Sequence, residues 1–225
     1  EETGDFIIFE HPEVIEGKVP DNLYYGGTDS YDRDKAESTD SLGSCSIKKG
    51  FYKASSTCNK FAARYTARPD TAKEFYEGTA KLNYYYNSSN LIEYSNLLII
   101  EWYKNNGFEY MLKERPEIAY ANVRVSTMQN KYGIDPSTKF EWLKMLRDDI
   151  SVNYEKLDDE EQILKFLKYR LDPDYNCDIT IASALAECNL QDSKDIEVKA
   201  SVNKNLAKFR IAFKFERGKL VRKFV

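Results

Sequence analysis

Two adjacent glycines inside a run of strand-forming residues constrain this chain more than any other stretch. In Leu23-Tyr24-Tyr25-Gly26-Gly27-Thr28-Asp29-Ser30-Tyr31-Asp32, the tyrosines and the threonine favour an extended backbone. The glycines carry no side chain, so either a bulge forms there or another backbone comes close. The run predicts a strand that stops on the carboxylate of Asp29. An Asx turn is the simplest alternative use for an aspartate at that place. What decides between turn former and ligand is whether other acids return to it.

The rest of the chain supplies a route. Phe6-Ile7-Ile8-Phe9 is a short strand, the Leu23–Asp29 strand follows, and Ser30 to Ser41 is a polar loop. Ser41 to Ile47 and Lys60 to Ala67 read as two more strands, the second stopped by Arg68-Pro69. Short links between consecutive strands predict an antiparallel meander. Asp70 then caps a helix in which Ala72, Phe75, Tyr76, Thr79 and Ala80 recur at helical spacing, running to about Tyr86. Asn90 to Tyr94 is a strand, Leu97 to Asn105 a helix stopped by Gly107, and Asn122 to Ser126 a further strand.

Three helices are predicted after that. Asp135-Pro136 opens one with Phe140, Leu143, Leu146 and Ile150 on one face. Asp158 and Glu161 form a capping box before Ile163, Leu164, Leu167 and Leu171, and Asn176 caps a helix with Ile181, Ala182 and Leu185 inward. The tail alternates like two strands of a hairpin, Ile196 to Val202 and Phe209 to Phe215, and is the one basic region.

A meander followed by a helical crossover predicts an α/β fold, a mixed sheet flanked by helices. A right-handed crossover would return the Glu93 strand parallel to the Asp29 strand, about 4.8 Å away, with their carboxyl ends adjacent. Ligands gather at such ends in open α/β sheets. Asp178 shares a helix face with Ile181, Ala182 and Leu185. An ionised carboxylate on that inward face is costly unless a cation compensates it; the plainer alternative is a first-turn acid complementing the helix dipole. Asp29, Glu93 and Asp178 would form a set of oxygen donors suited to Mg²⁺ or Mn²⁺. Two such ions about 4 Å apart can bind the attacking water and the leaving oxygen of a phosphodiester.

The bulk properties permit this and exclude other chemistry. The 225 residues suffice for one large domain or two small ones. One histidine and four cysteines at no metal-ligand spacing argue against structural zinc, and the cysteines read as reduced thiols. No apolar run approaches the roughly 20 residues of a membrane span, so no membrane partner is expected. The start at Glu1 has no basic signal-peptide region and no Met, which suggests an excised or processed chain.

Several pieces between roughly residues 5 and 190 together resemble the nuclease domain of tailed-bacteriophage large terminase subunits, in the ribonuclease-H-like group. They are the Tyr24–Asp29 strand with its Asp-rich loop and Ser41-Leu42-Gly43, and the strand Leu91-Ile92-Glu93-Tyr94-Ser95-Asn96. The last is Tyr175-Asn176-Cys177-Asp178 opening a helix rich in alanine. The Glu93 strand has one residue more before Asn96 than the family pattern. The resemblance implies a ribonuclease-H-like mixed five-stranded sheet over 1–190 and a basic extension over 191–225. It implies that Asp29, Glu93 and Asp178 are metal-binding acids of an endonuclease that cuts concatemeric viral DNA during packaging. Mg²⁺ or Mn²⁺ would be its cofactor, in the cytoplasm of an infected bacterial host. The family's partners would be double-stranded DNA, the portal protein, the small terminase subunit and an ATPase motor domain that this chain lacks. Asp32, Asp174 and Asn96 are auxiliary candidates, and Glu101 rivals Glu93.

A net charge of −4 fits a DNA enzyme only if the charges are segregated. The acids gather near Ser30–Asp40 and Asp148–Glu161, and the cations in the tail. Lys60, Arg64, Arg68, Lys208 and Arg210 are therefore the expected phosphate contacts. Two other readings stay open. One is a different ribonuclease-H-like nuclease, of resolvase or integrase type. The other is a non-catalytic binding module using aromatic platforms, for which Tyr84-Tyr85-Tyr86 among 17 tyrosines is the strongest cluster.

Overall fold

The computed structural model describes residues 5–31, 42–53, 55, 57–93, 97–120, 131–171, 177–193, 211–216 and 219–224, with backbone alone at 170–171 and in the last two ranges. Four strands come first: β1 (Phe6–Ile8), β2 (Tyr24–Asp29), β3 (Gly43–Lys49) and β4 (Lys60–Ala67). Helix α1 (Ala72–Tyr86) then crosses over to β5 (Ser89–Ile92). The five strands form one sheet in the order β1-β4-β3-β2-β5. β2, β3 and β4 are the expected antiparallel meander, and β1 lies antiparallel on β4 at the edge. β5 returns parallel to β2, with Tyr25 opposite Ser89 and Thr28 opposite Ile92.

Local chemistry sets the ends of α1, one residue away from where the sequence placed its start. Thr71, not Asp70, is the N-cap: its backbone is extended and its hydroxyl accepts from the Glu74 amide at 3.3 Å. Asn87 ends the helix in the left-handed region at φ 49°, and its side chain donates to Asp21 at 2.7 Å. Helix α2 (Leu97–Asn105) follows, and Gly107 stops it at φ 79°. Ile99, Ile100 and Tyr103 of α2 join α1 and one sheet face in a core with Phe75, Tyr86 and Ile47.

The opposite face is covered by α3 (Lys139–Asn153), α4 (Glu160–Leu171) and α5 (Asp178–Ser193). The face expected for α3 holds at Leu143, Leu146 and Ile150, which pack on the core, and fails at Phe140. Leu146 is buried with Trp142, but Phe140 is 75% exposed, because the short 3₁₀ turn Pro136–Thr138 rotates the helix start. Asp159 rather than Asp158 caps α4, its carboxylate accepting from the Gln162 amide at 3.2 Å. α5 runs to Ser193 and is buried on every side from Ile179 to Leu190. The expectation of one inward face was too narrow, since polar residues such as Ser183 and Asn189 are also paired inside. Asn189 donates to the Gly26 carbonyl at 2.9 Å, and Gln162 donates to the Ser183 hydroxyl at 2.7 Å.

The two glycines of β2 have one role on each face. A Cβ on Gly26 would sit 2.1 Å from Asn83 Oδ1 of α1, and a Cβ on Gly27 would sit 2.1 Å from the Ala186 nitrogen of α5. The β2–β3 register is unbroken from Tyr24↔Lys49 to Asp29↔Ser44, so the glycines make close approaches and no bulge. Alternate residues of a strand face opposite sides. Gly27 and Asp29 therefore both face α5.

Arg64 was expected on DNA and is instead internal. Its side chain is 3% exposed and bonds Asp159 at 2.7 Å and Glu161 at 2.6 Å. Lys60 is also engaged, with Asp158 at 2.8 Å. A cation taken out of water persists only with such partners. Arg64→Lys loses the forked geometry, so it should lower stability by about 1–2 kcal/mol in urea denaturation. DNA affinity should not change.

The tail forms a hairpin with a different pairing from the expected one. β6 (Ile211–Glu216) pairs antiparallel with β7 (Lys219–Phe224). The predicted strands at Asn122–Ser126 and Ile196–Val202, and the Asn176 cap, lie outside the described residues. No described helix is long and apolar enough to cross a membrane.

Candidate metal centre

Three elements deliver three acids to one place. Continuing the β2–β5 register by one pair sets Asp29 opposite Glu93, and the Glu93 amide donates to the Thr28 carbonyl at 3.2 Å. In-register neighbours on parallel strands point to the same face. α5 runs back along this pair: Ala182 and Ala186 lie against Gly27, and Asn189 reaches Gly26 and Ser89. The N-terminus of α5, and with it Asp178, therefore sits at the carboxyl ends of β2 and β5.

The electrostatics show how close the approach is. The Asp29 carboxyl is held well above the usual carboxylate range, first by burial, then by the charges of Glu93 and Asp178. Asp29 keeps some solvent-accessible surface, yet enough protein surrounds its carboxyl group for burial to lead. Glu93 is 8% exposed and is also raised, chiefly by burial, with Lys139 and the hydrogen bond to Asp29 opposing. The hydrogen bond between them acts on the two carboxyls in opposite directions, raising Asp29 and lowering Glu93. The pair titrates as one unit.

Asp178 Oδ2 accepts from the Leu42 amide at 2.8 Å, which ties the start of α5 to the start of β3. Among the described residues no three His, Cys, Asp or Glu side chains stand ready as a metal cluster. Asp29 and Glu93 are hydrogen-bonded to each other, and Asp178 is turned onto the Leu42 amide. The donor set nevertheless fits a hard divalent cation. It is all oxygen and largely enclosed, and its mutual charge raises Asp29 and Glu93.

The other expected site residues separate clearly. Glu101, the rival of Glu93, lies exposed on α2 and is not brought to the acids. Asp32, Asp174, Asn96, Lys208 and Arg210 lie outside the described residues. Arg68 is half-buried with its guanidinium 3.9 Å from the Tyr31 ring centroid. In the tyrosine cluster, Tyr86 is core and donates to the Glu10 carbonyl at 2.6 Å, while Tyr85 bonds His11 at 2.8 Å.

Sequence reasoning missed Lys139 and Cys177. Burial raises the Cys177 thiol; Lys139 opposes this and the three acids add to it, so both residues border the site. Lys139 arrives through a bridge between Ile134 and Glu93, on the far side of β5 from β2. Nothing in the local sequence signals that bridge.

A mixed five-stranded sheet, flanked by helices and carrying acids at the ends of the parallel β2–β5 pair, defines a ribonuclease-H-like α/β fold. No protein-family model matches the chain, and no curated protein matches it in sequence. Its fold is similar to that of the large terminase nuclease from thermophilic phage G20c. The crystal structure of that nuclease with bound zinc aligns at a TM-score of 0.50 and 13% identity, over 88% of this chain and 91% of that one. A second crystal structure of the same nuclease gives a TM-score of 0.50 and 12% identity over the same shares.

Proposed function

We propose that this chain is a metal-dependent endonuclease that hydrolyses double-stranded DNA, acting on concatemeric viral genomes during packaging. The observation that carries this reading is the meeting of Asp29, Glu93 and Asp178 at the carboxyl ends of the β2–β5 pair, where the charges of Glu93 and Asp178 add to burial in raising the Asp29 carboxyl. The fold shared with a phage terminase nuclease supports it. Asp29, Glu93 and Asp178 would hold two Mg²⁺ or Mn²⁺ ions. Such ions make a bound water acidic enough to attack phosphorus and offset charge on the phosphate.

The chain's own residues prepare the site for this. Gly27 lets α5 lie on β2, so that Asp178 arrives from a rigid helix rather than a loop. The Leu42 amide orients the Asp178 carboxylate, and burial of Glu93 keeps competing water away. The ATPase motor, portal protein and small terminase subunit would be its partners, in the cytoplasm of an infected bacterium. Phosphate contacts position without reading bases, so little sequence preference is expected.

Supercoiled plasmid tests the reading. With Mn²⁺ or Mg²⁺ the protein should produce nicked and then linear DNA. Glu93→Gln and Asp178→Asn should each reduce the rate at least about 10³-fold while the circular dichroism spectrum stays unchanged. Plasmid that stays supercoiled with both metals, or variants that cut normally, would refute it.

A further inference from the structure

The buried cations among the described residues close onto carboxylates. Lys48 is ion-paired with Asp149 and Glu187, Lys49 with Glu10 and Glu13, and Arg64 with Asp159. Lys139 differs. It is half-buried beside Asp29 and Glu93, whose carboxyls both feel its charge, yet it makes no direct ion pair with any described carboxylate.

Its position is fixed by structure on both sides. Upstream, the Ile134 amide donates to the Ile92 carbonyl at 2.9 Å, and the Asp135 amide donates to the Tyr120 hydroxyl at 2.9 Å. The Pro136–Thr138 turn is closed by the Ser137 amide on Asp135 Oδ1 at 2.8 Å and by the Thr138 hydroxyl on the Asp135 carbonyl at 2.7 Å. Downstream, the fully buried Trp142 donates to the Thr138 hydroxyl at 3.2 Å, and the Lys139 ammonium lies 5.9 Å from the Trp142 ring centroid. The Lys139 backbone is thus held on a rigid turn at the rim of the acid cluster.

A lysine serving only as counter-ion would close to contact, as Lys48 does. One held short of contact leaves the carboxylates free for other cations and keeps its own three donors available. An anion arriving at the acids meets strong repulsion, and a fixed cation at the rim offsets it. We propose that Lys139 is a further catalytic residue of the nuclease reading above, on which this inference rests: its ammonium contacts a non-bridging oxygen of the scissile phosphate. That contact strengthens as negative charge builds on the oxygens during attack, so it favours the transition state over bound DNA.

Lys139→Gln and Lys139→Arg test this with two independent readouts. At saturating DNA with Mn²⁺, Lys139→Gln should cut roughly 10²-fold more slowly, and Lys139→Arg should recover part of that loss. In Ca²⁺, with a short duplex that stays uncut, Lys139→Gln should lower the slope of log affinity against log salt by about 0.9, the signature of one lost phosphate contact. The shift in melting temperature produced by Mn²⁺ should match wild type. Cleavage at the wild-type rate with an unchanged salt slope overturns the proposal. So does loss of the Mn²⁺-induced shift, which would make Lys139 a residue that orients the acids. If wild type itself does not cut, the nuclease reading fails, while the salt slope still reports on the phosphate contact.

Discussion

Asp29→Asn is expected to abolish cleavage, by at least about 10³-fold, and also to make the metal-free protein more stable. The second effect follows from the cost of the acid cluster. The folded-state pKa of Asp29 lies above its unfolded value, and that of Glu93 is raised with it. A group of this kind adds stability at pH below its unfolded pKa, about 4, and that contribution is lost as pH rises toward the folded pKa. Metal-free wild type should therefore lose stability as pH climbs from about 4 toward neutral. Asp29→Asn removes one carboxyl and flattens that slope. At pH 7 it should gain about 1–2 kcal/mol, a rise in melting temperature of roughly 2–6 °C.

Divalent metal should reverse the order. Mn²⁺ at about 100 times its dissociation constant stabilises a protein that binds it by about 2.7 kcal/mol. Wild type would receive this and Asp29→Asn would not. Thermal melts of both proteins in EDTA and in Mn²⁺, at pH 5 and pH 7, give the comparison. If Asp29→Asn melts below wild type in EDTA at pH 7, the acids are not mutually destabilising and the site reading loses its physical basis.

Gly27→Ala should be the most damaging single methyl group in the β2–α5 contact. The added Cβ would lie 2.1 Å from the Ala186 nitrogen, 2.3 Å from the Ala182 oxygen and 2.6 Å from the Leu185 carbonyl carbon. All three are backbone atoms of a helix buried on every side, so no flexible side chain can give way. The helix must move off the strand as a unit, breaking the Asn189 bonds to Gly26 and Ser89. A loss of about 3 kcal/mol is expected, with a fall in melting temperature of roughly 6–12 °C. Because α5 also carries Asp178, the folded fraction should cut more slowly. Urea denaturation and single-turnover cleavage read the two effects separately. A wild-type midpoint for Gly27→Ala would mean that α5 does not seat against β2 as described.

Much of the architecture was legible because it rests on local signals. Strand runs, the helix end near Tyr86, the Gly107 helix stop and short links between strands led to the meander, the crossover and the parallel return of β5. Where caps were misplaced, as at Asp70 for Thr71 and at Asp158 for Asp159, adjacent residues of similar chemistry competed and packing chose between them. Arg64 and Lys60 looked like free cations because sequence carries no sign of a carboxylate far along the chain. Phe140 fitted an apolar face by spacing, but the turn before it set the phase of the helix.

Alone, the sequence determined that Gly26-Gly27 marks either a bulge or a close neighbour and that Asp29 ends a strand. It also determined that an acid opens an alanine-rich helix. These are properties of neighbouring residues, written in steric and conformational preference. Tertiary structure decided what the glycines admit: α1 on one face and α5 on the other, with no bulge. It also decided that burial and neighbouring charge raise the Asp29 and Glu93 carboxyls and that the charge of Lys139 opposes this. Those outcomes depend on burial and on charges brought together from distant segments. Neither exists until the chain has folded, so no local pattern can encode them.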